Sequence, residues 1–393
     1  MIAKRGVGSA PVKGRRVLVR VDFNVPLDAR GAVADDGRIV EAMPTLEHLR
    51  AAGARTILLS HLGRPGGHHD PALSLRPVAR RLSTLLGQPV PVADDIVGIR
   101  AIDHCARLAN GEFLMLENLR FNPGEEANDP AFAAQLSQLG ELFVEEAFGT
   151  VHRAHASTVG VPRRLPSFAG LLVEREVREL SRLVDRPERP YAVLVGGAKV
   201  ADKLPLLESF LGKADALLIG GALANPFLSA GGASLGATPV ETGVGAAAAA
   251  FLERARGSGT TVVLPSDVLA DRPGQAAPSA HAVGEIPADA VAQDIGPATI
   301  ARFSAALAGT KTVFWNGPLG RAEEPRFAAG TREVLGALAG TPGYRVAAGG
   351  DSARIARDLG VAGVFQFIST GGGAALEFVQ GAALPGLAVL PDA

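Results

Sequence analysis

The feature that most constrains this chain is a rhythm. Short apolar, β-branched-rich runs recur along it, each breaking off in a loop rich in Gly, Arg or Asn and followed by a helix-like stretch. VLVRVDF, TILLS, FLMLENL and ELFVEEAF carry the pattern through the first half; YAVLVGG, ALLIGG, TVVLP, TVFWNG, YRVAAGG and VFQFIST carry it through the second. Strands alternating with helices predict parallel sheets covered on both faces, an α/β architecture. At 393 residues the chain exceeds one ordinary core, so two doubly wound, Rossmann-like parallel-sheet domains are expected.

Between the two series lies LLVEREVRELSRLV, in which Val173, Val177, Leu180 and Val184 recur at helical spacing. Its polar face sets Glu174 four residues before Arg178, and the Pro-containing DRPERP stops it. The expectation is an interdomain helix with hinge over about 168–186, a first domain over 1–167 and a second over 187–384.

Net charge is -1, with 23 basic against 22 acidic residues up to Asp185 and 16 against 18 beyond it. Neither half is a polyanion binder by bulk charge, so no nucleic-acid partner is expected and an anion site must come from local placement. The lone Cys105 and the absence of an apolar signal core at the start point to a reducing, cytoplasmic setting. Residues Ala216 to Val240 carry no charge, but five glycines, Asn225 and Pro226 interrupt them, so strand, turn and helix are expected there and no membrane span.

In open parallel sheets, ligands collect beyond the carboxyl ends of the strands. The first half places Arg20, Asp22, Asn24, Arg38, His61, Arg64, Arg120, His152, Arg153 and His155 in or beside such loops. Five arginines in one loop set suit a small ligand bearing phosphate or carboxylate, since guanidinium binds oxyanions bidentately. Asp22 and Asn24 can hold a hydroxyl. The HRAH histidines lack an acidic companion at metal-protease spacing.

The second half offers mostly bare backbone. Glycines at strand-to-helix turns let the chain approach a phosphate while the helix start favours its charge. The device recurs at Gly196 and Gly197, at Gly349 and Gly350, and at Gly371, Gly372 and Gly373, with Lys199 and Lys203 after the first. A polyphosphate with counter-charges fits this better than a set of flexible turns. Asp351 is placed either to reach a phosphate-bound Mg²⁺ or to cap the next helix. GxxxxGK[ST], HRD and DFG are absent, so neither the P-loop nor the protein-kinase machinery is present.

RVDFNVP, SHLGRP, ENLRF, AFGTVHRAHAST, GGAKVADK, DIGP, WNGPLG, GGDS and STGGGAALEF stand in an order and spacing, along nearly the whole chain, that closely resembles the phosphoglycerate kinases. The resemblance implies a cytoplasmic, monomeric, hinge-bending enzyme of glycolysis and gluconeogenesis that moves a phosphoryl group between 1,3-bisphosphoglycerate and ADP, giving 3-phosphoglycerate and MgATP. By similarity Asp22, Phe23, Asn24, Arg38, His61, Leu62, Gly63, Arg64, Arg120 and Arg153 line the acid site. Lys199, Lys203, Asn316, Glu323, Gly349, Gly350, Asp351 and Ser352 line the nucleotide site, Asp351 as the Mg²⁺ ligand. Arg38, Lys199 and Gly371 to Gly373 are the implied catalytic groups. The resemblance also brings the tail, about 385–393, back to the first domain.

The chain departs from the family pattern at Glu145 and Glu146, close to the basic set, where Asn-Asp is usual, and at Ala222, Leu223, Asn225, Pro226, Ala292, Arg321 and Ala322; several of these cluster where the resemblance puts the adenine, which bears on base preference. A catalytically silent homologue that binds phosphorylated metabolites is the alternative reading. A nicotinamide-dependent oxidoreductase on the same architecture lacks a GxGxxG after a strand.

Overall fold

The computed structural model describes residues 3–275 and 277–393. The chain divides into two compact units, Met1–Ser181 with Ala382–Ala393, and Arg182–Gly381.

The first unit is built on β1 (Arg16–Arg20), β2 (Arg55–Leu59), β3 (Phe113–Met115), β4 (Leu142–Glu145) and β5 (Ser167–Ala169). All pair in parallel in the order β3-β2-β1-β4-β5. Successive side chains of a strand face opposite ways, so a strand buried at every position must be covered twice. Val17, Leu18 and Val19 of β1 are fully buried. Val17 and Val19 join Leu58 and Val144 in one core, while Leu18 joins Ile57 and Phe143 in another on the opposite face. Chain order reverses between β1 and β4, and that switch point is where the loops diverge and leave a crevice.

The residues 382–393 belong to this first unit. Gly386 donates its N–H to the Val151 carbonyl at 2.8 Å, so close that a Cβ on Gly386 would lie 2.8 Å from the Val151 Cα. Ala393 donates to the Ala3 carbonyl at 3.0 Å, and Lys4 pairs with Asp392 at 2.7 Å.

The second unit carries β6 (Tyr191–Val195), β7 (Ala216–Ile219), β8 (Thr261–Val263), β9 (Asp267–Asp271), β10 (Ser279–Ala282), β11 (Val291–Ile295), β12 (Thr312–Asn316), β13 (Tyr344–Ala348) and β14 (Phe367–Ser369). Six of them form a parallel sheet in the order β14-β13-β12-β6-β7-β8, with the switch point between β6 and β12.

Three features differ from the sequence expectation. Strands β9, β10 and β11 form a small antiparallel sheet in the order β10-β9-β11, with a bulge between Ala292 and Asp294. Its segments DVLAD, SAHA and VAQDI are largely half-exposed and lack a continuous apolar run, so the signal that marks buried parallel strands is missing. The connecting helix spans Leu171–Val184, and Phe168, placed in it from sequence, lies in β5 instead. On that helix the Arg178 guanidinium hydrogen-bonds Glu179 at 2.9 Å, while its charge still acts on Glu174 one turn back.

The uncharged stretch after β7 becomes a short 3-10 turn, Gly221–Ala224, and the helix Asn225–Ala230. Among the described residues no helix is long and apolar enough to cross a membrane.

Candidate active site

In the first unit the charged residues gather where β1, β2 and β3 end. Adjacent parallel strands lie about 4.8 Å apart, so neighbouring strand ends deliver neighbouring side chains. Arg20 closes β1 and is 1% exposed. Asp22 follows it and accepts a hydrogen bond from Arg38 at 2.6 Å, Arg38 standing in the first turn of the helix Gly37–Ala51. Asn24 accepts from the Gly63 N–H at 2.9 Å, and Arg120, after β3, donates to the Gly63 carbonyl at 2.8 Å. The loop after β2 is thereby fastened from both sides.

Phe23 is wholly buried and serves by backbone, its N–H donating to Ser60 at 3.0 Å. Leu62 is likewise buried; Asn118 holds both its N–H and its carbonyl. Gly63 has φ +63°, a left-handed conformation, and a Cβ there would strike Leu73 at 2.8 Å.

His61 lies at the centre. Burial and then the charges of Arg20, Arg120, Arg38 and Arg153 hold its imidazole well below its ordinary value. The charges of four guanidiniums therefore act on one ring, and Arg20 reaches it directly, its Nη2 3.2 Å from the His61 Nδ1. His155 is pushed down to about 4, chiefly by burial and next by Arg20. Arg153 lies beside His152, its Nε 3.2 Å from the His152 Nε2. Arg64 is exposed beyond Gly63.

Beneath this basic surface lies a buried acidic floor: Glu145 and Glu146, which the sequence sets close to the basic residues, and Glu125, which sequence reading left out. Glu125, fully buried, accepts from the Ser157 hydroxyl at 2.5 Å and from the Ser157 N–H at 3.0 Å. Burial raises its carboxyl, and Arg20 draws it back down. Glu145 ends β4 opposite Arg20. One carboxyl oxygen accepts from the Ala147 N–H at 2.9 Å; the other is buried without a hydrogen-bond partner among the described residues. Burial pushes it up to about 8 despite Arg20. Glu146 is raised well above its usual range by burial too, and accepts from the Leu172 N–H. Nothing in the spacing of ENLRFNPGEE marks Glu125; Arg20 was legible as a strand-end charge, but its burial was not.

In the second unit the glycine turns close β6, β12, β13 and β14, which are neighbours in the sheet. At the switch point two backbones touch. Gly196 and Gly197 donate to the Asn316 and Pro318 carbonyls, each at 2.9 Å, and a Cβ on Gly196 would sit 2.0 Å from the Pro318 oxygen. The reason for glycine at 196 is therefore a neighbouring loop. Gly197 at φ +119°, Gly349 at φ +103° and Gly372 at φ +53° are required by conformation. Gly372 is the N-cap of the helix Gly373–Gln380, and open space surrounds the place its Cβ would occupy. Gly371 donates to Ser369 at 3.1 Å.

Lys203, in the helix Val200–Ser209, hydrogen-bonds the Asn316 side-chain oxygen. Burial holds its ammonium below its ordinary value while Asp351 and Asp202 pull the other way. Asn316 donates to the Ala348 carbonyl at 2.7 Å, and Ser352 accepts from the Gly317 N–H at 2.9 Å. Lys199 is exposed at the N-cap of its helix. The amides behind it are already occupied: Glu241 accepts from the Val200 N–H at 2.5 Å, so that helix start is not a bare anion site.

Gly350 opens the helix Gly350–Asp358, and Asp351 stands in its first turn rather than capping it, with its side chain 87% exposed and 3.9 Å from Arg354. It faces a cleft of ≈ 560 Å³ that Glu323 also lines. Ala222, Asn225, Ala292 and Arg321, the departures from the family pattern, line the same cleft, whereas Leu223 and Ala322 are buried in the core. Asp294 lines it as well, accepting from the Gly330 N–H at 2.8 Å and the Ile295 N–H at 2.9 Å, with burial pushing it up to about 7.

The family model described as phosphoglycerate kinase matches residues 7–382. Phosphoglycerate kinase of Salinispora tropica is 50% identical over 388 residues, covering 96% of each chain. That of Pelotomaculum thermopropionicum is 48% identical over 394 residues, covering 100% of both. The solved structure of phosphoglycerate kinase from Coxiella burnetii superposes with a TM-score of 0.89 at 36% identity, covering 98% of each chain.

Proposed function

Because the chain belongs to the phosphoglycerate kinase family, whose members transfer phosphate to a carboxyl group, we propose that it moves a phosphoryl group reversibly between 1,3-bisphosphoglycerate and ADP, giving 3-phosphoglycerate and MgATP. The observation that carries this reading is the pairing of chemistries at two switch points. Arg38, Arg120 and Arg153, whose charges act on a neutral His61, suit a small acid bearing a carboxylate and a phosphate; glycine turns with Lys203 beside a cleft suit a nucleotide.

In the ATP-consuming direction the attacking group is the carboxylate of 3-phosphoglycerate, already ionised at neutral pH because carboxyl groups titrate near pH 4. Its oxygen bonds to the γ-phosphorus as the bond to the bridging oxygen breaks, and that electron pair leaves with ADP. No proton needs moving, which accords with histidines held neutral rather than poised as bases. Catalysis then rests on alignment and on charge at the moving oxygens. Asp22, Asn24, Arg120 and Arg153 hold the acid, and Arg64 reaches it from the loop edge. Arg38, Lys199 and the Gly371, Gly372 and Gly373 amides meet the transferring group. Lys203, Asn316, Gly349, Gly350 and Ser352 flank the nucleotide phosphates, and Glu323 meets the ribose.

The residues present fit Mg²⁺. Asp351 offers an exposed hard-oxygen donor not spent on a helix cap, and a Mg²⁺ that keeps waters and phosphate oxygens needs only one or two carboxylates. Among the described residues no group of three His, Cys, Asp or Glu could hold a metal unaided, which suits an ion that arrives with the nucleotide. When bound, it neutralises phosphate charge. Since the two ligand sets belong to different units, hinge closure brings the substrates together and excludes water. The enzyme works as a cytoplasmic monomer in glycolysis and gluconeogenesis.

The test is phosphoryl transfer from MgATP to 3-phosphoglycerate by purified protein, with Lys203→Ala as control and GTP in parallel. Turnover that the variant loses is expected, and the ATP to GTP ratio reports what Ala222, Asn225 and Arg321 do to base preference. Binding of both ligands without turnover would favour the silent homologue.

A further inference from the structure

Arg20 is the most deeply buried cation of the basic set, and all three of its donor groups are spent on the protein itself. Nε donates to the Ser157 hydroxyl at 2.8 Å and Nη1 to the Val21 carbonyl at 2.5 Å, while Nη2 lies 3.2 Å from the Nδ1 of His61. Ser157 is in turn held at both its hydroxyl and its N–H by the buried Glu125 carboxyl. A guanidinium carries donors only, so it can meet a ring nitrogen only where that nitrogen presents a lone pair. The alternative partner of Nδ1 is Asp22, whose nearer oxygen is 3.9 Å away and outside hydrogen-bonding distance. The two distances decide between the ring forms: among the described residues a proton on Nδ1 would have no acceptor in range and would point at a cation.

We propose that Arg20, clamped by Ser157 and Glu125, is a positioning residue that fixes His61 as the neutral tautomer protonated on Nε2. The ring then meets a bound anion as a directed donor whose state does not change as the ligand arrives. The groups around it argue the same way, since Arg20, Arg120, Arg38 and Arg153 all oppose a second proton, while Asp22, which favours one, stands 3.9 Å away. The use of this donor rests on the acid-binding role proposed above for His61; the tautomer itself does not, and is read without substrate.

The experiment is long-range ¹H–¹⁵N correlation NMR of histidine-labelled, full-length, ligand-free protein, with His61 assigned by the signal lost in His61→Gln. A hydrogen bond from a charged donor favours one form about tenfold or more, so wild type is expected to show Nε2–H across pH 6 to 8. An Nδ1–H pattern, or an imidazolium at pH 7, overturns the proposal. Arg20→Met should release the ring into a mixture of tautomers that begins to titrate, and Arg20→Lys, which can still donate to Nδ1, should restore the single form. If Arg20→Met does not fold, Ser157→Ala keeps the charge, frees Nε, and should shift the tautomer ratio measurably. A ring that keeps Nε2–H unchanged in every folded variant shows that something other than Arg20 holds it, which also overturns the proposal. A correct tautomer in a protein without phosphoryl transfer would refute only the proposed reaction.

Discussion

Glu145 supplies a prediction whose size follows from the site. Its carboxyl is fully buried at the end of β4, with one oxygen bonded to Ala147 and the other without a hydrogen-bond partner among the described residues, and is pushed up to about 8 from an ordinary 4.5. An acid with a raised folded value keeps its proton in the native state while the unfolded chain releases it. Stability is then undiminished below about pH 4.5, falls as pH rises from there to about 8, and is level above. At about 1.4 kcal/mol per pH unit, the loss is about 3 kcal/mol at pH 7 and about 5 kcal/mol above pH 8. Since a domain's whole margin is about 5–15 kcal/mol, this is a large term. Glu145→Gln removes the titration and leaves the shape. The amide's fit contributes a constant offset, but the pH dependence of the difference does not depend on that fit. Urea unfolding of both proteins, followed by pulse-labelled hydrogen exchange in peptides from β1 and β4, should show the gap opening by about 4 kcal/mol in favour of Gln between pH 5 and pH 9. Titrating groups remote from Glu145 cancel in that difference, whereas Glu125, Glu146 and Asp22, which are coupled to it, respond to the loss of its charge. A gap that stays flat over the range would refute the reasoning and mean that Arg20 holds Glu145 ionised.

Arg38→Ala should lower turnover about a hundredfold or more, the usual effect of losing one charge at a transferring group, while calorimetry finds the MgADP dissociation constant unchanged; parallel losses would contradict the division of roles. Gly196→Ala drives a methyl into the Pro318 carbonyl and should destabilise the second unit by about 1–3 kcal/mol or more, read from the emission of the single Trp315 during urea unfolding; an unshifted midpoint would show that the two loops part freely. Small-angle scattering should give a smaller radius of gyration with both substrates than with either alone, and an unchanged value counts against hinge closure.

The parallel strands were legible because burial on both faces forces continuous apolar runs, and the switch-point loops followed from where those runs break. The β9, β10 and β11 sheet was not, because half-exposed residues such as Asp267, His281 and Gln293 dilute the same signal. In the site, Asp22, Arg38, His61 and Arg120 could be marked by type and place. What strand-end position does not reveal is depth. Arg20 and Arg64 read alike in sequence, yet one is sealed beneath the surface and the other stands in solvent. Glu125 hydrogen-bonds Ser157 across 32 positions and lies 3.8 Å from His155, contacts that no local pattern encodes. Glycine had two meanings that sequence could not separate: Gly196 yields to a neighbouring backbone, while Gly372 yields to its own dihedral angle.

The first unit is closed by residues 382–393, and this bears on how the molecule is made. On the ribosome its five strands emerge early, but Gly386, which seats on Val151, follows only after the 200 residues Arg182–Gly381. At about 5–20 residues per second that is a delay of about 10–40 s. Throughout it the second unit, continuous in the chain, can complete itself while the older one waits for its last piece.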